Sequence, residues 1–210
     1  MSRPVAGPVL AIALLCASAI TSAQTGIRND VPAAASHATL PPDVAPLMPR
    51  YLLMDVQGRA VTQEDFAGRL QLVSFGFISC PDVCPTTLLE VKHILDALGD
   101  KAGRVQAIFI TVDPERDTRA VLREYTAAFD SRILGLTGNP ELIRRAADSF
   151  RVQYEIVREP GAATDNYTMN HTAGMVLLDG RGRFLARFAY RMPGSEIVQR
   201  IRDELAAARR

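Results

Sequence analysis

Apolar positions along this chain switch between two spacings. Leu70 to Phe77 reads LQLVSFGF, a near-continuous run of β-formers, and predicts a buried strand. From Thr86 to Leu98 the spacing becomes helical, with Leu88, Leu89, Val91, Ile94, Leu95 and Leu98 on one face and Gly99 ending it. Val105 to Val112, VQAIFITV, predicts a second buried strand that closes on Asp113-Pro114. Thr118 to Phe129 reads as a helix and Ile133 to Leu136 as a short strand. Asn139 reads as an N-cap with Pro140 at the first helical position, so a helix runs on to Phe150. Tyr154 to Val157 is a short strand or edge, and Glu159 to Asn170 is polar and irregular. Ala173 to Leu178 and Arg183 to Tyr190 flank the turn Asp179-Gly180-Arg181-Gly182 and predict an antiparallel hairpin. Ser195 reads as the cap of a last amphipathic helix with Ile197, Ile201 and Leu205. Nearer the N-terminus, Tyr51 to Asp55 and Arg59 to Val61 flank Val56-Gln57-Gly58 and predict a small hairpin.

Alternating strands and helices imply an α/β fold with helices on both faces of a sheet. The late β-hairpin makes that central sheet mixed, and the N-terminal hairpin precedes it. A cysteine pair stands between the first long strand and its helix, which is the thioredoxin-like arrangement. This domain is read from residue 50 to 210. Residues 24–49 are rich in Ala, Pro, Ser and Thr without apolar period and read as a linker. Residues 1–23 have a basic start at Arg3, an apolar run from Val9 to Ile20 and the small end Thr21-Ser22-Ala23. That is a secretory signal peptide cleaved after Ala23, or a retained membrane anchor. Either way the domain is expected to be exported and periplasmic, soluble after cleavage or tethered to the inner membrane. Cys16 leaves with a cleaved signal, and the bulky Leu15 before it weakens a lipoprotein reading.

Lys and Arg number 24 against 23 Asp and Glu, a net charge of +1. That balance argues against nucleic acid, which requires a basic surplus on one face. The chemistry concentrates instead on Cys80 and Cys84. In an oxidising compartment such a pair is a structural bridge, a redox dithiol or a metal-binding pair. A bridge over so short a loop removes little chain entropy. The strand–helix junction is also where α/β folds place ligands. A helix N-terminus is expected to favour thiolate over thiol there. Among the histidines, His37 falls in the linker and His93 on the surface of the first helix. His171 ends the polar loop, just before a strand, and reads from its surroundings as either structural or a ligand. Two thiolates and an imidazole suit Cu(I) and tolerate Cu(II), whereas structural zinc takes a fourth protein ligand. Met169 offers a thioether or simple packing. Asp113, on the same sheet edge as Cys80, reads as an orienting or partner-contact group, or as a turn cap before Pro114.

Three separated segments carry a resemblance: FGFISCPDVCPTTL at 75–88, ITVDPERDT at 110–118 and NYTMNHTAGMVLLDGRGRF at 166–184. In that order they resemble the Sco/SenC family of cytochrome oxidase assembly factors, over the whole domain. The resemblance implies a thioredoxin-like fold and copper held by Cys80, Cys84 and His171. It implies that copper is delivered to the binuclear copper site of a respiratory oxidase subunit, or that the cysteines of that site are reduced. Implied partners are that subunit, other copper chaperones and thiol reductases. Asp113 matches the family's aspartate in DPxRDT, which implies partner contact or tuning of the site. The chain departs at Phe77, Ile78 and Ser79, where the family often has Tyr, Thr and His, and at Asn170, where it often has an acid. These changes leave the three ligands in place and are expected to alter copper affinity, redox poise or partner choice. The expected function is a copper metallochaperone, with a thiol–disulfide oxidoreductase or a copper or redox sensor as alternatives.

Overall fold

The computed structural model of the protein describes residues 48–161, 163 and 166–208. Nine strands and four α-helices follow in chain order among these residues. They are β1 (Leu52–Asp55), β2 (Ala60–Thr62), β3 (Leu70–Gly76), α1 (Val83–Leu98), β4 (Val105–Thr111), α2 (Arg119–Phe129) and β5 (Ile133–Thr137). Then come α3 (Pro140–Ser149), β6 (Tyr154–Val157), β7 (Thr168–His171), β8 (Met175–Leu178), β9 (Phe184–Phe188) and α4 (Gly194–Ala207). The sheet order is β2-β1-β5-β4-β3-β8-β9, and β6 and β7 form a separate two-stranded ribbon.

At the centre of the sheet, β3, β4 and β5 run parallel. Their near-continuous apolar sequences follow from burial on both faces. The two hairpins flank this core antiparallel, β1 against β5 and β8 against β3, so the sheet is mixed. Alternate residues then feed two cores. Leu72, Ala107 and Phe109 meet the apolar faces of α1, α2 and α4. Val73, Phe75, Ile108 and Ile110 face the other way, onto Ile143, Ala146 and Ala147 of α3 and onto Phe150. The buried Gln71 interrupts this pattern at little cost because its amide is bonded: it donates 3.0 Å to the Gln63 carbonyl and accepts 2.9 Å from the Tyr51 hydroxyl. Those bonds tie the N-terminal hairpin to the central strand.

Several boundaries differ from the sequence pattern, each for a local reason. α1 begins at Val83, not Thr86, which places Cys84 in its first turn and leaves Cys80 in the loop before it. Residues 168–171 form β7 where a polar irregular segment was expected. Only Met169 of that strand is fully buried, so four residues with one buried apolar side chain carry little apolar alternation. Ser195 lies inside the first turn of α4 and Pro193 is its N-cap. Thr118 caps α2 from outside, its hydroxyl accepting from the Val121 amide. Asn139 caps α3 as expected, 2.8 Å from the Leu142 amide.

The leader read at 1–23 and the linker up to residue 47, with Cys16 and His37, lie outside the described residues. Among those described, no helix is long and apolar enough to cross a membrane.

Gly174 connects the β6–β7 ribbon to β8 with φ +110°. A Cβ there would run into the Phe188 carbonyl oxygen across the β8–β9 hairpin. Gly174→Ala is therefore expected to lower stability by about 2 kcal/mol or more in urea unfolding. Wild-type stability in that variant would contradict the packing described.

Candidate metal centre

Three elements bring one donor each to a single point. After β3 the chain turns tightly, with the Cys80 amide donating 3.3 Å to the Phe77 carbonyl. Cys84 follows in the first turn of α1, and His171 ends β7, opposite Tyr154 of β6. One ligand atom from each of Cys80, Cys84 and His171 lies within 4.8 Å of the others. Cys84 Sγ is 3.4 Å from His171 Nε2. His171 Nδ1 lies 3.1 Å from the Thr172 carbonyl, to which its proton is donated. That bond leaves Nε2 with its lone pair toward the sulfur, as a metal-ligating imidazole needs. The Phe77 ring meets the imidazole edge to face, with centroids 6.0 Å apart.

The two sulfurs are unlinked and differ in exposure. Cys84 is 2% exposed and belongs to the core cluster with Phe77, Val112 and Met169. It reaches that depth because residue 76 is glycine: a Cβ there would stand 2.8 Å from Cys84 Sγ and 2.8 Å from the Phe109 ring. Cys80 is only partly buried. Burial pushes the Cys84 thiol well above its usual range, and a hydrogen bond donated to Cys80 and nearby negative charge add to this. The expected thiolate stabilisation at the helix N-terminus is overturned for Cys84, because desolvation inside the core outweighs it. Burial also depresses His171, so the imidazole is neutral at pH 7, the form that binds metal.

Asp113 stands outside this donor group. It is 3% exposed and accepts 2.8 Å from the Tyr167 hydroxyl and 2.5 Å from Arg116 Nε. His93 is exposed on α1 and Met169 is buried as a packing residue. Of the departures, Phe77 is core, Ile78 half-buried and Ser79 exposed, while Asn170 donates 3.2 Å to Glu155. One further residue escaped the sequence reading. Asp117, 1% exposed, accepts 2.6 Å from the Thr111 hydroxyl and 3.0 Å from the Ile78 amide, two residues before Cys80. Its signal was the acid four residues beyond Asp113 in the same turn, which reads equally well as a helix-start residue before Thr118.

The donor set fits a soft monovalent ion. Donors sharing one ion at about 2.0–2.3 Å lie up to about 4.6 Å apart, so small side-chain torsions suffice here. Two sulfurs and an imidazole nitrogen, with no fourth His, Cys, Asp or Glu donor in the group among the described residues, suit a soft metal better than a closed zinc site.

A mixed sheet flanked by helices, with a cysteine pair at the β3–α1 junction, makes this a thioredoxin-like domain that presents a Cys–Cys–His group. The SCO1/SenC family profile matches residues 41–206, and the chain belongs to that family. A SCO2-like protein of Rickettsia felis is 37% identical over 148 residues, 70% of this chain and 71% of that protein. Among solved structures, Bradyrhizobium japonicum ScoI with copper bound superposes with a TM-score of 0.67 at 39% identity, covering 74% of this chain and 97% of that one. Yeast Sco1 with copper bound gives 0.69 at 31% identity, covering 78% and 90%.

Asp117 gives this region a pH signature. Burial, with the Asp113 charge adding, raises its pKa from the ordinary 3.8 to about 6. Between those values the folded protein keeps a proton that the unfolded chain has released. The stability it contributes is complete below about pH 4 and lost as pH rises through 6. Urea unfolding of wild type and Asp117→Asn is expected to show the wild type losing ground by on the order of 2 kcal/mol from pH 4 to 7. A pH-independent difference would mean that Asp117 titrates normally.

Proposed function

We propose that this protein carries copper on Cys80, Cys84 and His171 and delivers it to the binuclear copper site of a respiratory cytochrome oxidase. The carrying observation is the convergence of two sulfurs and one neutral imidazole within 4.8 Å. Three soft-to-borderline donors satisfy Cu(I) and leave an approach open for an incoming ligand. Cys84 is the buried donor, and Cys80, partly buried in the loop, is the sulfur nearer solvent. A partner's cysteine thus enters on the Cys80 side and exchanges ligands one at a time. Loading displaces the Cys84 proton, so copper affinity is coupled to proton release. In this reading 50–210 is the working domain outside the inner membrane, 24–49 is its tether, and 1–23 is the signal or anchor that exports it. Reduced His171→Ala is expected to bind Cu(I) at least about tenfold more weakly by competitive titration. Wild-type affinity in that variant, or stoichiometric copper on Cys80→Ser/Cys84→Ser, would contradict the site.

The unequal exposure of the sulfurs favours a second reading, in which the same pair reduces the oxidase cysteines. Cys80 thiolate attacks the partner disulfide, forming a mixed disulfide and releasing one partner thiolate. Cys84, deprotonated in the step, attacks Cys80 Sγ and releases the second. Two electrons pass to the partner, and this protein ends with a Cys80–Cys84 disulfide. His171 has no obligatory part in that exchange, so His171→Ala should still reduce a model disulfide. A disulfide holds no thiolate, so oxidised protein should fail to bind Cu(I) until it is reduced. Undiminished uptake by the oxidised form would separate copper from this pair.

A further inference from the structure

His171 reaches the cysteines on a ribbon that the main sheet does not hold. β7 pairs only with β6, and neither joins the seven-stranded sheet. Several of the ribbon's hydrogen bonds are internal. Thr172 N donates 2.9 Å to the Gln153 carbonyl, and Gln153 N donates 3.0 Å to the Thr172 hydroxyl. The buried Val152 and Met169 and the half-buried Tyr154 seat it on the core, and Arg144 of α3 stacks over Tyr154 at 4.0 Å.

A further anchor is at Tyr167, immediately before β7. Arg116 covers its ring with the guanidinium carbon 3.7 Å from the centroid, and Nη1 donates 2.8 Å to the Tyr167 carbonyl. The same arginine donates from Nε to Asp113 Oδ2 at 2.5 Å, while the Tyr167 hydroxyl donates to Asp113 Oδ1 at 2.8 Å. One closed circuit therefore grips the ring face, the hydroxyl and the main chain of Tyr167. Asp113 is itself fixed, its amide donating 2.9 Å to the Thr111 hydroxyl and its carbonyl accepting 2.9 Å from the Asp117 amide. The other end of this turn reaches the cysteines, because Asp117 accepts the Ile78 amide at 3.0 Å. Residues 113–117 thus hold the cysteine loop with one acid and the histidine strand with the other.

We propose that Arg116 and Tyr167 are positioning residues for His171, and that the 113–117 turn sets the separation between the imidazole and the cysteine pair. The inference rests on the copper reading above. An undocked ribbon withdraws the third ligand, and apparent affinity falls by the fraction of molecules left docked. Loss of the Tyr167 grip is expected to weaken copper binding about tenfold, within the range for groups that orient metal ligands.

The test is a double-mutant cycle on the reduced full chain, read by competitive Cu(I) titration of wild type, Tyr167→Ala, His171→Ala and the double variant. Tyr167→Ala should bind about tenfold more weakly, and the double variant no more weakly than His171→Ala alone. Tyr167→Phe, which keeps the ring under Arg116, should recover part of the loss. In metal-free Tyr167→Ala, amides of 154–157 and 168–171 should exchange faster while those of β3 and β4 keep their protection. Arg116→Lys, which breaks the fork but retains charge, carries the same cycle if Tyr167→Ala fails to fold. Multiplicative losses in the double variant, or a Tyr167→Ala affinity equal to wild type beside a weakened His171→Ala, would overturn the positioning role alone. A His171→Ala affinity equal to wild type would overturn the copper reading and this inference with it.

Discussion

The site depends on how deeply the sulfur of Cys84 is buried. The helix that carries it starts at Val83, seven residues after the end of β3, and its first turn is pressed against the sheet at Gly76. No side chain larger than hydrogen fits at position 76 while the sulfur and the Phe109 ring occupy their places. With Cys84 Sγ fixed there, His171 Nε2 comes to rest 3.4 Å away, and Cys80 closes the triangle from the loop. The rest of the molecule supplies this constraint: a central strand buried along its length, two cores on its faces, and hairpins that seal its flanks.

That depth sets the chemistry as well as the geometry. A sulfur in an apolar wall keeps its proton against the pull of the helix terminus. The half-buried imidazole carries a single proton at neutral pH, which the Thr172 carbonyl holds on Nδ1. The metal-free centre is therefore a thiol donating to a neutral histidine, a low-charge arrangement suited to burial. A soft cation held there would displace that proton, so its binding would be coupled to proton release. Cys80 is the partly exposed sulfur, so it is the thiol through which cargo or electrons would pass to a partner.

Much of this was legible in the chain because the determinants were local. Continuous apolar runs marked β3 and β4, and Asn139-Pro140 marked the start of α3. The cysteine spacing located one half of the centre. What stayed hidden depended on contacts distant in sequence. β7 has a single fully buried residue, Met169, and is a strand only because β6 lies beside it. Asp117 looks like an ordinary acid before a helix, and its burial appears only when Thr111 and Ile78 close over it. The histidine was recognised through the ordered motifs that surround it; its own neighbourhood in sequence left a structural role open. Asp113 was placed on the correct sheet edge, but its partners, Arg116 and Tyr167, show that it binds the ribbon and stands outside the donor group.

The central claim is that one copper ion shares all three donors. X-ray absorption of the reduced protein loaded with one equivalent of Cu(I) tests it most directly. The geometry predicts two sulfur scatterers and one imidazole nitrogen, with the nitrogen lost in His171→Ala and the sulfurs kept. A spectrum of two sulfurs alone in the wild type, or an imidazole signal that survives in the variant, would contradict it.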